Sequence, residues 1–226
     1  SSLIARPIIA LTPDSNARLV VAPTVVERTI AHNLSGALSG TLQNEFWLSK
    51  EMRAYSSASG MKAGLEFNET VARRLKDARL RTWPSAKPAW ALNCKATPEI
   101  EQLGDIDVLA VSTDGGRVWV IEVKDLKLCR TMGEIARRLS DYRGRRNGMG
   151  QPDKMLRHLR RVAYLRSHAA ELVGRLGLTE APQVSGAMVV RSPQPMEQVQ
   201  VDSPDARVVM FDDIDIIPWR AGWLVQ

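Results

Sequence analysis

The sequence predicts an α/β fold: a mixed central β-sheet flanked by helices, led by an N-terminal appendage of a hairpin and helices. Three observations carry that expectation. Four apolar runs have the length and bounding residues of strands, at 105–111, 118–124, 184–191 and 207–211. Runs with helical periodicity, 61–80 and 153–174, precede and separate them. A chain of 226 residues with 44% hydrophobic content can bury one substantial core and still carry an appendage. The expected division is residues 1–58 for the appendage and 59–226 for the core domain.

In the appendage, Pro7 to Leu11 and Leu19 to Ala22 read as a hairpin around Pro13-Asp14-Ser15-Asn16, a run of turn formers. Pro23-Thr24-Val25-Val26-Glu27 reads as a capping-box helix start, and Thr41 to Tyr55 as a further helix. This segment carries no chemical motif; it reads as a surface for attachment to a larger protein or complex, or to DNA. In Met61 to Leu80, the residues Phe67, Val71, Leu75 and Ala78 recur at helical spacing and define one apolar face. Asn68 borders that face, whereas Glu66 and Glu69 point away from it. Asp153 to Gly174 reads as an amphipathic helix stopped by Gly174 or Gly177. Its expected buried stripe is Met155, Leu156, Leu159, Val162 and Ala163; Lys154, Arg157, His158 and Arg161 fall on the opposite, solvated arc. Val184 to Arg191 and Arg207 to Phe211 are strands, with Ser192 to Asp205 a proline-containing loop between them. Trp83, Trp90, Trp219 and Trp223 read as packing residues, and no internal repeat occurs.

Chemistry concentrates in Gly104-Asp105-Ile106-Asp107-Val108-Leu109-Ala110-Val111 and Val118-Trp119-Val120-Ile121-Glu122-Val123-Lys124, joined by Thr113-Asp114-Gly115-Gly116-Arg117. The Asp-Gly pair signals a hairpin turn. Alternate strand side chains share a face, so Asp107 lies with Leu109 and Val111, and Glu122 and Lys124 lie with Val118 and Val120. Pairing Ser112 with Arg117 sets Asp107 opposite Glu122, and pairing Thr113 with Val118 sets it opposite Lys124. Either register gathers the three side chains; a one-residue slip separates them. Two neighbouring carboxylates raise each other's pKa unless a cation stands between them. Hard oxygen ligands suit Mg²⁺ or Mn²⁺, whereas zinc would call for a Cys and His cluster that this sequence lacks. Beside such a cation, desolvation and its field lower a lysine's pKa towards that of a base, or the lysine orients the nucleophile. Asp105 and Asp125 read as solvated acids.

Charge is unevenly spread. From Arg137 to Arg166 ten basic residues stand against Asp141 and Asp153, a net of +8, while the whole chain is +6. That concentration is the footprint expected for a phosphate backbone, with Arg143, Arg145, Arg146, Arg157, Arg160 and Arg161 as the contacts. The glycine-punctuated run 143–150 reads as a mobile loop that closes over nucleic acid. No G-K-[ST] follows it, which excludes a P-loop.

With G-D-I-D before an apolar run and an apolar strand ending in E-V-K, the sequence resembles the PD-(D/E)XK, or restriction-endonuclease-like, nucleases, in particular the branch of archaeal Holliday-junction resolvases and Mrr-type restriction enzymes. The resemblance runs from residue 60 to 190 and is strongest at the hairpin. It implies a restriction-endonuclease-like core and a Mg²⁺-dependent endonuclease, with Mn²⁺ substituting. In that likeness Asp107 and Glu122, helped by the Val123 backbone carbonyl, hold the metal, and Lys124 positions or deprotonates the attacking water. Duplex or branched DNA is the implied substrate, and relatives often work as homodimers. In those nucleases a helix ahead of the hairpin often contributes a glutamate; the position aligns with Asn68 here, a departure. Lys154 matches the helix residue with which relatives touch the scissile phosphate. The alternative is a non-catalytic nucleic-acid-binding module that retains the nuclease fold, and the absent helix glutamate is its main support.

No run of eighteen apolar residues and no signal-peptide pattern occurs. Cys94 and Cys129 have neither metal spacing nor a disulfide framework. The expected location is therefore cytoplasmic, at the nucleoid. The chain begins with serine, which reads as a trimmed form or the end of a longer protein.

Overall fold

The structure, a computed structural model, describes residues 8–10, 19–38, 49–129, 131–197, 206–217 and 219. It divides into two compact units, Ser1–Gly64 and Leu65–Gln226.

In the first unit, β1 (Ile8–Ala10) and β2 (Leu19–Val21) pair antiparallel, with Ile8 opposite Val21. The expected turn at 13–16 lies outside the described residues, as does 41–48 of the expected second helix. Helix α1 (Pro23–Leu38) opens two residues earlier than the capping box requires. The N–H groups of Val25 and Val26 both bond the Ala22 carbonyl, so Thr24 sits inside the first turn. Pro23 takes the leading position, where a missing N–H costs nothing. Helix α2 (Lys50–Asp77) runs unbroken through both units, where the sequence predicted two helices. Gly60 and Gly64 each cost it roughly 1 kcal/mol relative to alanine. Its second half buries Phe67, Val71, Ala72 and Leu75 in the core of the second unit, which outweighs that cost at about 1.5–3 kcal/mol for each large side chain.

The second unit is a five-stranded mixed sheet flanked by helices. Strands β3 (Arg81–Ala86), β4 (Ile106–Val111), β5 (Arg117–Lys124), β6 (Gln183–Val190) and β7 (Ala206–Met210) lie in that spatial order. The pairs β3–β4 and β4–β5 are antiparallel; β5–β6 and β6–β7 are parallel. Strand β3 was not expected, because Pro84 breaks the strand pattern. It survives because β3 is the sheet's edge, where a missing donor need not face a partner. Short helices α3 (Pro88–Ala91) and α4 (Pro98–Gln102) carry the chain from β3 to β4.

Parallel strands need a long crossover, and residues 125–182 supply it through α5 (Met132–Asp141), α6 (Lys154–Ser167) and α7 (Leu172–Leu176). A full capping box does occur, at Thr131 and Glu134 on α5 rather than at Thr24 and Glu27. The helix expected over 153–174 is interrupted at His168, and Gly177, with φ +60°, closes α7. One sheet face packs Val108, Ala110, Trp119 and Ile121 against α2; the other packs Leu109, Val111, Val118 and Val120 against Val162 and Leu165 of α6 and Leu172 and Leu176 of α7. Among the described residues no helix is long and apolar enough to cross a membrane, and Cys94 and Cys129 are free thiols. Trp223 lies outside the described residues; Trp219 is buried edge-on to Trp119.

Candidate functional site

The hairpin adopts the first of the two registers: Val111 faces Val118 and Val108 faces Ile121, the phase that sets Asp107 against Glu122. Its turn is held from within. Asp114 accepts hydrogen bonds from the Ser112 hydroxyl and the Gly116 N–H, and Gly115 takes the left-handed conformation, φ +72°, that the reversal needs.

At the open end of the hairpin a side chain replaces the ladder. Asp107 Oδ2 accepts the Val123 N–H at 2.8 Å, and its Oδ1 accepts the Asn68 amide of α2 at 3.3 Å. Because the N–H and C=O of a strand residue point to the same side, the Val123 carbonyl also faces Asp107. Lys124 Nζ lies 3.3 Å from Asp107 Oδ2 and 2.6 Å from Glu122 Oε1. The structure thus brings together Asp107, Glu122, Lys124, Val123 and Asn68.

Two residues expected on a solvated arc point inward instead. Arg161 Nη1 donates to Glu122 Oε2 at 2.8 Å and its Nε to the Leu103 carbonyl at 3.0 Å. His158 is 1% exposed, with Nδ1 3.9 Å from Glu122 Oε2 and no hydrogen bond to either ring nitrogen. The inward stripe of α6 is Met155, His158, Arg161, Val162 and Leu165, while Ala163 is exposed. A wheel aligned on apolar residues alone is rotated from this. The spacing 155, 158, 162, 165 was available as the signal, had the histidine been counted as core.

The remaining predicted residues lie elsewhere. Lys154, the residue matched to a contact with the scissile phosphate, pairs with Asp141 at 3.0 Å and lies over the Tyr142 ring. Arg157 and Arg160 are exposed on the outer side of α6, and Arg143, Arg145 and Arg146 are exposed on the loop before it. That loop is tied down rather than free. Asp153, which caps α6 through the Leu156 N–H, also accepts the N–H groups of Gly144 and Arg145, and Asn147 accepts those of Met149 and Gln151. Asp105 is exposed, and Asp125 pairs with Arg191 at 2.9 Å.

The cluster balances its charges. Burial pushes the Glu122 carboxyl up, but Lys124 and Arg161 together outweigh it and hold its pKa at about 2. Burial pulls the Lys124 ammonium down, and Glu122 and Asp107 more than reverse that, so its pKa is raised. Burial lowers His158 to about 4, against the pull of Glu122, and the imidazole is neutral at physiological pH. Tyr142, buried nearby, is pushed up to about 12 by desolvation. Among the described residues no three Asp, Glu, His or Cys side chains form a ready-made cage, so any cation here would draw on the Val123 carbonyl as well as the two acids.

A family model described as "Anti-phage protein Upx-like" matches residues 1–215. No curated protein and no solved structure matches the chain.

Proposed function

The chain belongs to the Upx-like family of anti-phage proteins, and from that premise we propose that it serves phage defence as a metal-dependent endonuclease that hydrolyses phosphodiester bonds in DNA. The observation that carries this reading is the convergence of Asp107, Glu122 and Lys124 at the open end of one hairpin, with nitrogen-to-oxygen distances of 2.6 and 3.3 Å. Their setting supports it: a helix before the hairpin, a mixed sheet, and a helix after the Glu-Val-Lys strand, as in the restriction-endonuclease-like nucleases that the motif resembles.

A divalent cation fits the donors present. They are hard oxygens, and the Lys124 ammonium already stands between the two carboxylates as a built-in counter-charge. Asp107, Glu122 and the Val123 carbonyl would hold Mg²⁺ or Mn²⁺, which acts as a Lewis acid on the phosphoryl group and acidifies water. The chain's own residues do the rest. Asn68 and the Val123 N–H fix the two oxygens of Asp107, and Arg161 pins one oxygen of Glu122 while the other pairs with Lys124. Lys124, kept charged by its carboxylates, orients the attacking water and offsets the negative charge that grows on the phosphoryl oxygens.

One observation favours the non-catalytic alternative: an amide, Asn68, stands where related nucleases carry an acid, and both carboxylates are already satisfied by cations of the chain. Incubation of the purified protein with supercoiled, linear, branched and single-stranded DNA, with and without Mg²⁺ or Mn²⁺, separates the two. Metal-dependent products that vanish in Asp107→Ala establish the nuclease. Tight binding with no product in either metal, at enzyme excess, leaves the binding module.

A further inference from the structure

We propose that Trp83, Trp90 and Lys87 form a stacking site for one unpaired base of the nucleic-acid strand whose backbone lies at Asp107, an inference that rests on the nuclease reading of that site. Trp83 pairs with Leu109 across the sheet, and Leu109 shares a strand face with Asp107. Trp83 and Asp107 are therefore diagonal neighbours on one face, about 7–8 Å apart. One nucleotide spans that gap.

The two indoles meet at 5.9 Å with a 52° tilt. One side of the pair packs on the core; the other lines a cavity of about 310 Å³ with Pro84, Ser85, Ala86 and Lys87. That volume suits a small flat ligand. The surround is cationic: the guanidinium of Arg175 lies 4.8 Å from the Trp90 ring centroid and that of Arg81 5.9 Å from the Trp83 centroid, and Lys87 is exposed at the rim. Among the described residues no carboxylate pairs with any of the three. Half-buried indoles beside cations that no carboxylate neutralises match a polymer of bases and phosphates, whereas an apolar peptide would gain nothing from the charges. Strand β3 is an edge strand, so no further strand pairs along its outer side. Ser85, which the β3–β4 pairing skips between Pro84 and Ala86, holds a left-handed backbone at φ +51°, which a serine adopts only when its surroundings enforce it. A base inside a duplex presents no free face, so the site selects unpaired segments: single strands, branches or frayed ends.

The test compares binding of the full chain, without divalent metal, to a single-stranded oligodeoxynucleotide and to an abasic polymer of the same length and charge. The expected result is a preference of about 10-fold for the base-bearing strand. Trp90→Leu and Trp83→Leu should erase the preference while leaving affinity for the abasic polymer, and Lys87→Glu should weaken both. The wild-type comparison varies only the ligand, so a variant that fails to fold does not spoil it. Equal affinity of the wild type for the two polymers, or a preference that survives in folded Trp90→Leu, overturns the stacking site. A wild type that prefers bases yet cuts no DNA overturns the nuclease reading instead.

Discussion

Glu122 gives one oxygen to Lys124 and the other to Arg161, and the two partners govern different properties. In the proposed mechanism Lys124 faces the reaction. Lys124→Ala should still bind DNA, while cleavage falls by a factor of about 10² or more, measured on the same preparation; unchanged turnover would remove it from the mechanism. Arg161 is a positioning residue: without it Glu122 is left half-paired and the Leu103 carbonyl loses its donor. Arg161→Leu should cost about 2–4 kcal/mol by chemical denaturation and move the Glu122 carboxyl upward in an NMR titration. His158 sets the response of the metal-free protein to acid. Its folded pKa of about 4 lies below the ordinary 6.5, so the unfolded chain takes up the proton first. Stability from this group is complete above about pH 6.5 and falls as pH drops towards 4, at up to roughly 1.4 kcal/mol per pH unit; Glu122 extends the loss from 4.5 down to about 2. His158→Gln should flatten the upper limb alone, and an identical limb in the variant would place the acid response elsewhere. The period-two pattern made Asp107, Glu122 and Lys124 legible in the sequence. Arg161 and His158 were not, because a polar residue on a helical wheel is assigned outward by default, and only a buried carboxylate on another element reverses that.

Helix α6 joins two jobs on opposite faces. Its inner face delivers Arg161 and His158 to Glu122, and its outer face presents Arg157 and Arg160 to solvent. Neutralising Arg157 and Arg160 together should weaken DNA binding across sequences alike and reduce the salt slope by about two units, one per lost phosphate contact. An unchanged slope would mean that this face is merely solvated. Element type was legible where periodicity was strong, as in β4, β5, β6 and the core-facing half of α2. Boundaries were not. Pro84 hid β3 because its tolerance depends on an edge position that only the sheet order reveals. The sequence ended one helix at Tyr55 and began the next at Met61, whereas α2 is continuous from Lys50 to Asp77.

At the level of the whole chain, the mixed sheet and its helical layers followed from strand runs, helix runs and length, whereas the order β3-β4-β5-β6-β7 depends on long-range pairings that periodicity cannot state. The parallel β5–β6 pair, separated by the crossover of residues 125–182, has a consequence in time. The hairpin can close on its own five-residue connection, gathering Asp107, Glu122 and Lys124 among the earliest contacts of folding. The contacts of Asn68 with Asp107 and of Arg161 with Glu122 each span 39 residues, and the second must await the crossover. The acids thus meet before their clamp arrives. Truncating Arg161 should then speed unfolding several-fold and leave the refolding rate nearly unchanged, whereas Val108→Ala in the hairpin should slow refolding; stopped-flow chevrons compare the two. A newly made chain would pass through a stage in which the carboxylates are assembled but not yet clamped, so the proposed capacity to cut would be acquired last, when the crossover docks and the molecule is otherwise complete.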